Sequence, residues 1–517
     1  METSEKRRTQ IIIVGGGVTG LSLALMLERL DVSYVLLEAY PILTKAVGTT
    51  IALLANGLRI LDQLGLLEQI QEAGQTPLKQ EIIDGNTGRE DFEMDLSELA
   101  NDFLERHGYS GYVMPRHEFL KILEKQLKNR DCLLTNKRVK EIEQSDSAAS
   151  VICEDGTRYD AQIVVGADGI RSTVRREMWR LAAEKSPGWF PEKHMMSCEY
   201  AVAFATAPPS QHFSPGDLIS IERPGSNAGI VCGRQAQLFL FYYWRLHPPH
   251  ITFPADAIPH IPPSEREARW ADAAKLPLSR GGLTFGDIMA TGMARPGATM
   301  LPHHAFEKWW FGRVVVIGDA AHKFNPLMSQ GGNNCIESAA ALVNQLERCL
   351  EERGVSLQAA EWPREALAEA FTALERERLP RVKQLIEMSQ TAQHVAARET
   401  RLYDFIAKYI LWLVPKRMHV DMITSYVVGC SRLKGKVWDR PDKEHSIPWG
   451  DEWEEGKEEE EEESSKWALG FGFRILCSAR TPLVLRNTNP TNDLGSLQIT
   501  LASASRYQTD QNSEETV

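Results

Sequence analysis

The chain has 517 residues, enough for two or three domains with large cores, and its 43% hydrophobic and 25% charged content is that of an ordinary globular protein. A net charge of −12 argues against nucleic acid as a partner; residues 451–463 alone hold ten acidic side chains against one lysine, so the rest of the chain is close to neutral. Eight scattered cysteines form no CxxC pair and no metal-ligand spacing, which leaves no metal site and fits a reducing compartment.

The N-terminal METSEKRRTQ is charged and has no signal-peptide apolar core, so a cytoplasmic location is expected. Residues 10–14 (QIIIV) read as a buried parallel strand, followed by a glycine turn, a helix from about Leu21 to Leu30 and a second strand at Ser33–Glu38. The turn, Gly15-Gly16-Gly17-Val18-Thr19-Gly20, satisfies GxGxxG where the physics requires it. Gly15 allows the tight turn, Gly17 lets the backbone approach a pyrophosphate, and Gly20 lets helix and strand pack closely. The helix N-terminus offers free N–H groups to the anion. Glu38, eighteen residues after Gly20, ends the second strand and can accept hydrogen bonds from ribose hydroxyls; it would repel a 2′-phosphate. These features together point to a bound dinucleotide without separating FAD from NAD.

Residues 55–75 and 115–128 carry amphipathic helical patterns, and 132–165 read as short strands with a turn at Asp155–Gly156. From about 180 to 300, strand-like runs alternate with Pro- and Gly-rich turns. At 313–318 (RVVVIG) the dinucleotide fold resumes, and 333–350 and 356–430 are mostly helical. The expected fold class is α/β: a Rossmann-like domain (8–180 and 300–350) with an inserted β-rich substrate domain (181–299) and a C-terminal helical region (351–449). Residues 450–517 read as an acidic, low-complexity, disordered tail. No apolar run reaches the ~18 residues a spanning helix needs. The run Tyr409–Pro415 makes a membrane-facing helix around 402–428 an alternative to a core helix, the preferred reading.

Two further motifs follow strands: Gly166-Ala167-Asp168-Gly169-Ile170-Arg171-Ser172, and Gly318-Asp319-Ala320-Ala321-His322, which leads into Asn325-Pro326 and Gln330-Gly331-Gly332-Asn333-Asn334. With GxGxxG, a DG motif and a GD motif in order over roughly residues 8–445, the chain resembles the group A flavin monooxygenases, the para-hydroxybenzoate hydroxylase-like family. Ala55–Gly65, Cys198-Glu199-Tyr200, Phe285-Gly286-Asp287 and His322-Lys323 make it most similar to the fungal FAD-dependent monooxygenases of meroterpenoid and indole-diterpene pathways, which epoxidise prenyl chains.

The resemblance implies FAD as cofactor and NADPH or NADH as electron donor. It implies that Asp319 contacts the flavin's ribityl chain, that Gly331 and Gly332 offer N–H groups to its pyrimidine end, and that Arg116 pairs with its phosphate or ribityl region. Asp168 with Gly169 would lie near the pyrophosphate and the nicotinamide donor, and Gly48 to Ala52 would run along the isoalloxazine. His322 is expected only to pack or hydrogen-bond locally. The sequence departs from the family pattern in carrying Ala52 where Gly is frequent and Ser329 at the start of GQGxN. It also has Glu222 or Arg223 where a Tyr near substrate is frequent.

The implied reaction inserts one atom of O2, through a flavin C4a-hydroperoxide, into a hydrophobic small molecule, by epoxidation of a prenylated terpenoid or meroterpenoid intermediate. The alternative is ring hydroxylation of a phenolic or benzoate-like substrate, which predicts an Arg or paired hydroxyls holding a carboxylate. On Leu238–Arg245, Phe239, Phe241, Tyr243 and Arg245 share one face and Leu240, Tyr242 and Trp244 the other; one face is core and the other is free to line a site. Tyr243 and Arg245 are the catalytic candidates.

Overall fold

The computed structural model describes residues 9–44, 50–191, 194–248, 250–438 and 443–455. Gly48 and the stretch after residue 455 lie outside them.

The strand β1 (Thr9–Val14) carries apolar residues on both faces, as a strand covered on both sides must, and Ile11, Ile12 and Ile13 are fully buried. It pairs in parallel with β2 (Tyr34–Leu37) on one side and with the strand Arg158–Gly166 on the other. Arg158–Gly166 in turn pairs in parallel with Val314–Val316. The helix α1 (Val18–Arg29) forms the crossover from β1 to β2 and packs against the long helix Gln330–Glu351.

Register decides where the chemistry falls. Val14 lies opposite both Leu37 and Gly166, and Gly166 lies opposite Val316. The residues that follow these strands are the glycine loop, Glu38, Ala167-Asp168 and Gly318-Asp319. Motifs separated by some 150 residues of sequence are thus brought to one edge, the carboxyl ends of parallel strands, where open α/β sheets bind their ligands.

The second sheet runs in the order His322–Lys323, Ala294–Ala305, Met195–Ala207, Leu238–Arg245, Ser226–Cys232, Asp217–Arg223, Lys79–Asp84, Glu90–Asp95. It reaches beyond the expected stretch 181–299 at both ends. The hairpin Lys79–Asp95 joins it through a parallel pairing of Lys79–Asp84 with Asp217–Arg223. At the other edge, the short strand after Asp319 pairs with Ala294–Ala305. The first addition is a pairing between strands distant in sequence, and the half-exposed, charged strand Glu90–Asp95 forms a protected edge. On Leu238–Arg245 the face of Leu240, Tyr242 and Trp244 enters the sheet's own core.

Helix Arg364–Ala396 runs along Gln330–Glu351. Lys416–Val427 packs on the helix Ser97–His107, with Arg106 on Asp421 at 2.6 Å and His107 on Thr424 at 3.0 Å. The ordered body extends past residue 449: Trp449 is fully buried, and the helix Gly450–Glu455 places Asp451 2.7 Å from the buried Arg59. The acidic run therefore begins as a docked helix, its first carboxylates neutralised by a buried guanidinium. No helix among the described residues is long and apolar enough to cross a membrane.

Candidate active site

A cavity of about 1370 Å³ lies between the two sheets and is closed on one side by C-terminal helix residues. It exceeds the roughly 300–1,000 Å³ of a single small-molecule site. One end is polar and built from the three motifs; the other is walled by the second sheet.

At the polar end, Gly15 has φ +107°, and a Cβ there would stand 2.5 Å from the Ala167 carbonyl oxygen. Only glycine fits this turn. The N-cap of α1, Gly17, makes no side-chain cap, and the helix has no acidic residue in its first turn. Its free N–H groups therefore border the cavity with nothing of the helix's own to neutralise them, an arrangement suited to a phosphate. Arg116, at the start of helix Arg116–Gln126, lies 3.7 Å from where a Gly17 Cβ would be, and no carboxylate among the described residues pairs with it. Glu38 accepts from the Gly16 N–H at 2.7 Å with one oxygen and from the Tyr40 N–H at 2.9 Å with the other. Each oxygen keeps a lone pair for a ribose hydroxyl.

The GD motif lines the same space. Asp319 is ion-paired with Lys323, and both side chains are partly exposed to the cavity. Burial works against the Lys323 charge, but the Asp319 carboxylate outweighs it and raises the lysine pKa. Gly331 and Gly332 form the first turn of Gln330–Glu351, whose leading N–H groups have no intrahelical partner. A Cβ on Gly331 would meet open space, while one on Gly332 would stand 2.5 Å from the Ile51 side chain. Ala52 sits on the strand Thr50–Leu53 facing this turn. These residues fit a dinucleotide whose phosphates lie at α1 and whose ring lies by Gly331 and Ala52.

Two candidate residues have duties other than those expected. Asp168 borders the cavity, but its carboxylate caps the helix Thr173–Lys185. It accepts from Ser172 Oγ at 2.5 Å, Thr173 N at 2.7 Å and Val174 N at 3.1 Å. Burial raises its pKa even so. Arg245 leaves the cavity altogether and pairs with Glu399 at 2.5 Å, because the last residue of its strand projects beyond the cavity wall towards the end of helix Arg364–Ala396. Tyr243 does line the cavity. It is buried beside Phe241, ring centroids 6.2 Å apart, and burial pushes its pKa up. Its hydroxyl has no hydrogen-bond partner among the described residues.

Glu222 and Arg223 supply no acid or base here. Glu222 is buried against Arg398 at 3.5 Å, its pKa pushed up to about 7 by burial, and Arg223 bonds the Tyr242 hydroxyl. His322 is also outside the cavity. It hydrogen-bonds Ser338 at 2.9 Å, and burial pulls its pKa down to about 3.

Two residues in the cradle escaped the sequence reading. Lys323 belongs to the His322-Lys323 pair, and its role shows only in the fold, where it pairs with Asp319. Asn333, fully buried, ties the ring-side strand to the helix: its amide donates to the Ala52 carbonyl at 3.0 Å and its oxygen accepts from the Leu54 N–H at 3.0 Å. Its place directly after Gly331-Gly332 was the available signal.

Comparison with known proteins agrees with this geometry. A family model described as an FAD binding domain matches residues 8–377. The chain is 32% identical over 461 residues to the FAD-dependent monooxygenase atmM of Aspergillus flavus, covering 86% of this chain and 92% of that protein. It is 32% identical over 401 residues to the FAD-dependent monooxygenase nodM of Hypoxylon pulicicidum, covering 77% and 83%. Among solved structures, HpxO of Klebsiella pneumoniae complexed with FAD and uric acid superposes with a TM-score of 0.64 at 18% identity, over 83% of this chain and 99% of that one. That last likeness is one of fold. The chain belongs to the FAD-binding family. Within it, the chain is a member of the FAD-dependent monooxygenases.

Proposed function

We propose that the protein takes electrons from NADPH or NADH and inserts one oxygen atom of O2 into a hydrophobic, prenylated small molecule, by epoxidation of an alkene. The observation that carries the substrate class is the makeup of the wall. The second sheet lines the cavity with Val202, Phe204, Leu218, Ile230, Phe241 and Leu301, and its polar contributions include Ser220, Asn227 and Tyr243. Among the described residues that this sheet places there, Lys323 on the edge strand alone is charged, and it is already paired with Asp319. An aromatic acid would need a cation to hold its carboxylate, and leaving that charge unpaired in an apolar wall is costly. An alkene chain needs only apolar contact.

FAD supplies the redox chemistry: reduced by the nicotinamide, it activates dioxygen for transfer of one electrophilic oxygen. The chain's own part is to hold and exclude. Gly15, Gly17, Arg116 and Glu38 would anchor the dinucleotide, and Asp319 with Gly331, Gly332 and Ala52 would position its ring end. The apolar wall keeps water from the reacting atoms and sets the alkene's orientation. The Tyr243 hydroxyl, which lines the cavity and has no acceptor among the described residues, is free to donate a hydrogen bond to a bound substrate. Epoxidation asks no more of the protein than this.

The test is anaerobic mixing of FAD-loaded protein with NADPH and with NADH, in the presence of prenylated phenols or of benzoates. Faster flavin bleaching with the prenylated compounds supports the proposal. Acceleration by benzoates alone would favour ring hydroxylation instead.

A further inference from the structure

We infer that the segment Leu402–Met422 is an interfacial docking surface for an anionic lipid bilayer, through which apolar substrate reaches the cavity; the substrate half of this inference rests on the function proposed above. Among the described residues thirteen large apolar side chains are exposed, and seven of them fall between Leu402 and Met422. Leu413 is 70% exposed, Leu402 53%, and Phe405 and Tyr409 51% each, with their rings 5.3 Å apart. Scattered single exposures are ordinary on a protein surface, but such a concentration marks an interaction surface.

Charge selects the partner. In a chain of net −12, residues 401–418 carry Arg401, Lys408, Lys416 and Arg417 against the single acid Asp404. Asp404 is neutralised by Lys408 at 2.9 Å, and the nearby Asp421 by Arg106 at 2.6 Å. Lys416 faces Glu98, whereas Arg401 and Arg417 are exposed without an ion pair among the described residues. Apolar and aromatic side chains flanked by free arginines are the composition of segments that lie in a headgroup layer. The segment's own helices are short, the longest being the 12 residues of Lys416–Val427, so its contact with the bilayer is interfacial.

The segment is also continuous with the cavity. Helix Lys416–Val427 presents Met418 and Met422 to solvent, while its His419, Met422, Ile423 and Tyr426 line the cavity wall. A molecule dissolved in the bilayer would meet this helix before any other part of the site. Water-insoluble prenyl chains partition into lipid, so delivery through this wall avoids desorption into water.

The test uses FAD-loaded full-length protein and sedimentation with vesicles of phosphatidylcholine alone or containing about a third phosphatidylserine. The expected result is preferential pelleting with the anionic vesicles. Phe405→Ser with Leu413→Ser should weaken pelleting by about tenfold or more. Arg401→Glu with Arg417→Glu should remove the preference for phosphatidylserine, and Met195→Ser, exposed elsewhere, should change nothing. All these side chains are at the surface, and unchanged flavin content and circular dichroism confirm that each variant is folded. Failure to pellet with either vesicle, or pelleting of the serine variant like the parent, would overturn the inference. So would a concentration-dependent dimer, seen by light scattering, that the serine variant abolishes, since the surface would then bind a second copy. Binding is read without turnover, so its failure leaves the oxygenation reading intact, and failure of that reading leaves the binding result standing.

Discussion

Asn333→Ala is the substitution that best separates this cradle from a generic glycine loop. Its amide holds the Ala52 carbonyl at 3.0 Å and the Ser329 carbonyl at 2.7 Å, and its oxygen takes the Leu54 N–H at 3.0 Å. Truncation strands the Ala52 carbonyl and the Leu54 N–H, each costing about 1–3 kcal/mol. The total of about 2–6 kcal/mol falls on the junction between the strand Thr50–Leu53 and the helix Gln330–Glu351, both of which line the cavity. If only 1.4 kcal/mol of it reaches the bound state, FAD affinity falls about tenfold. Flavin fluorescence titration should read that loss, and thermal unfolding should read a fall of about 2–6 °C in Tm. Asn333→Asp keeps the acceptor for Leu54 but turns a carboxylate oxygen towards the Ala52 and Ser329 carbonyls in a buried site, so it should bind FAD no better than the alanine variant. A titration in which Asn333→Ala binds FAD within about twofold of the parent, with Tm unchanged, would refute the reasoning.

Other substitutions probe neighbouring links. Gly15→Ala combines a positive φ, worth about 1–3 kcal/mol of strain, with a clash against the Ala167 backbone, and the purified protein should be colourless after FAD loading. Tyr243→Phe should leave FAD affinity unchanged and lower kcat about tenfold, measured as substrate-dependent NADPH oxidation. Arg245→Ala, whose partner Glu399 lies away from the cavity, should leave kcat/KM unchanged. Stability should fall in acid through Glu337. Burial alone would raise its pKa, but Arg381 and Arg378 lower it from 4.5 to about 2. The unfolded chain therefore binds the proton more tightly, so this contribution is fully present above about pH 4.5 and is lost as pH falls towards 2. Glu337→Gln should flatten that part of the Tm-against-pH curve.

The nucleotide half of the fold was legible because its residues are not interchangeable. Only glycine suits the Gly15 turn, and the short β-branched run Ile11–Val14, ending at a glycine turn, reads as a strand buried on both faces. The same logic exposed Gly318-Asp319. The hairpin Lys79–Asp95 was not legible, because its membership in the second sheet depends on a pairing with Asp217–Arg223 more than a hundred residues away. Alternation on Leu238–Arg245 separated the core face from the cavity face, but it could not say where along the strand the cavity ends, so Tyr243 lies inside and Arg245 outside. Asp168 illustrates a different limit. A carboxylate after a strand can serve a ligand or cap a helix, and the helix that follows decides which. Lys323 and Asn333 act through partners, Asp319 and Ala52, that spacing alone does not reveal.

In the function proposed above, bound FAD places one oxygen atom on an apolar substrate. Turnover of FAD-loaded protein with NADPH and a prenylated phenol under isotope-labelled dioxygen tests it most directly, with product mass as the readout. The expected product gains a single labelled oxygen on the prenyl chain and no new ring hydroxyl. Oxygen consumed entirely as hydrogen peroxide, or a label that appears only as a new hydroxyl on the phenol ring, would contradict it.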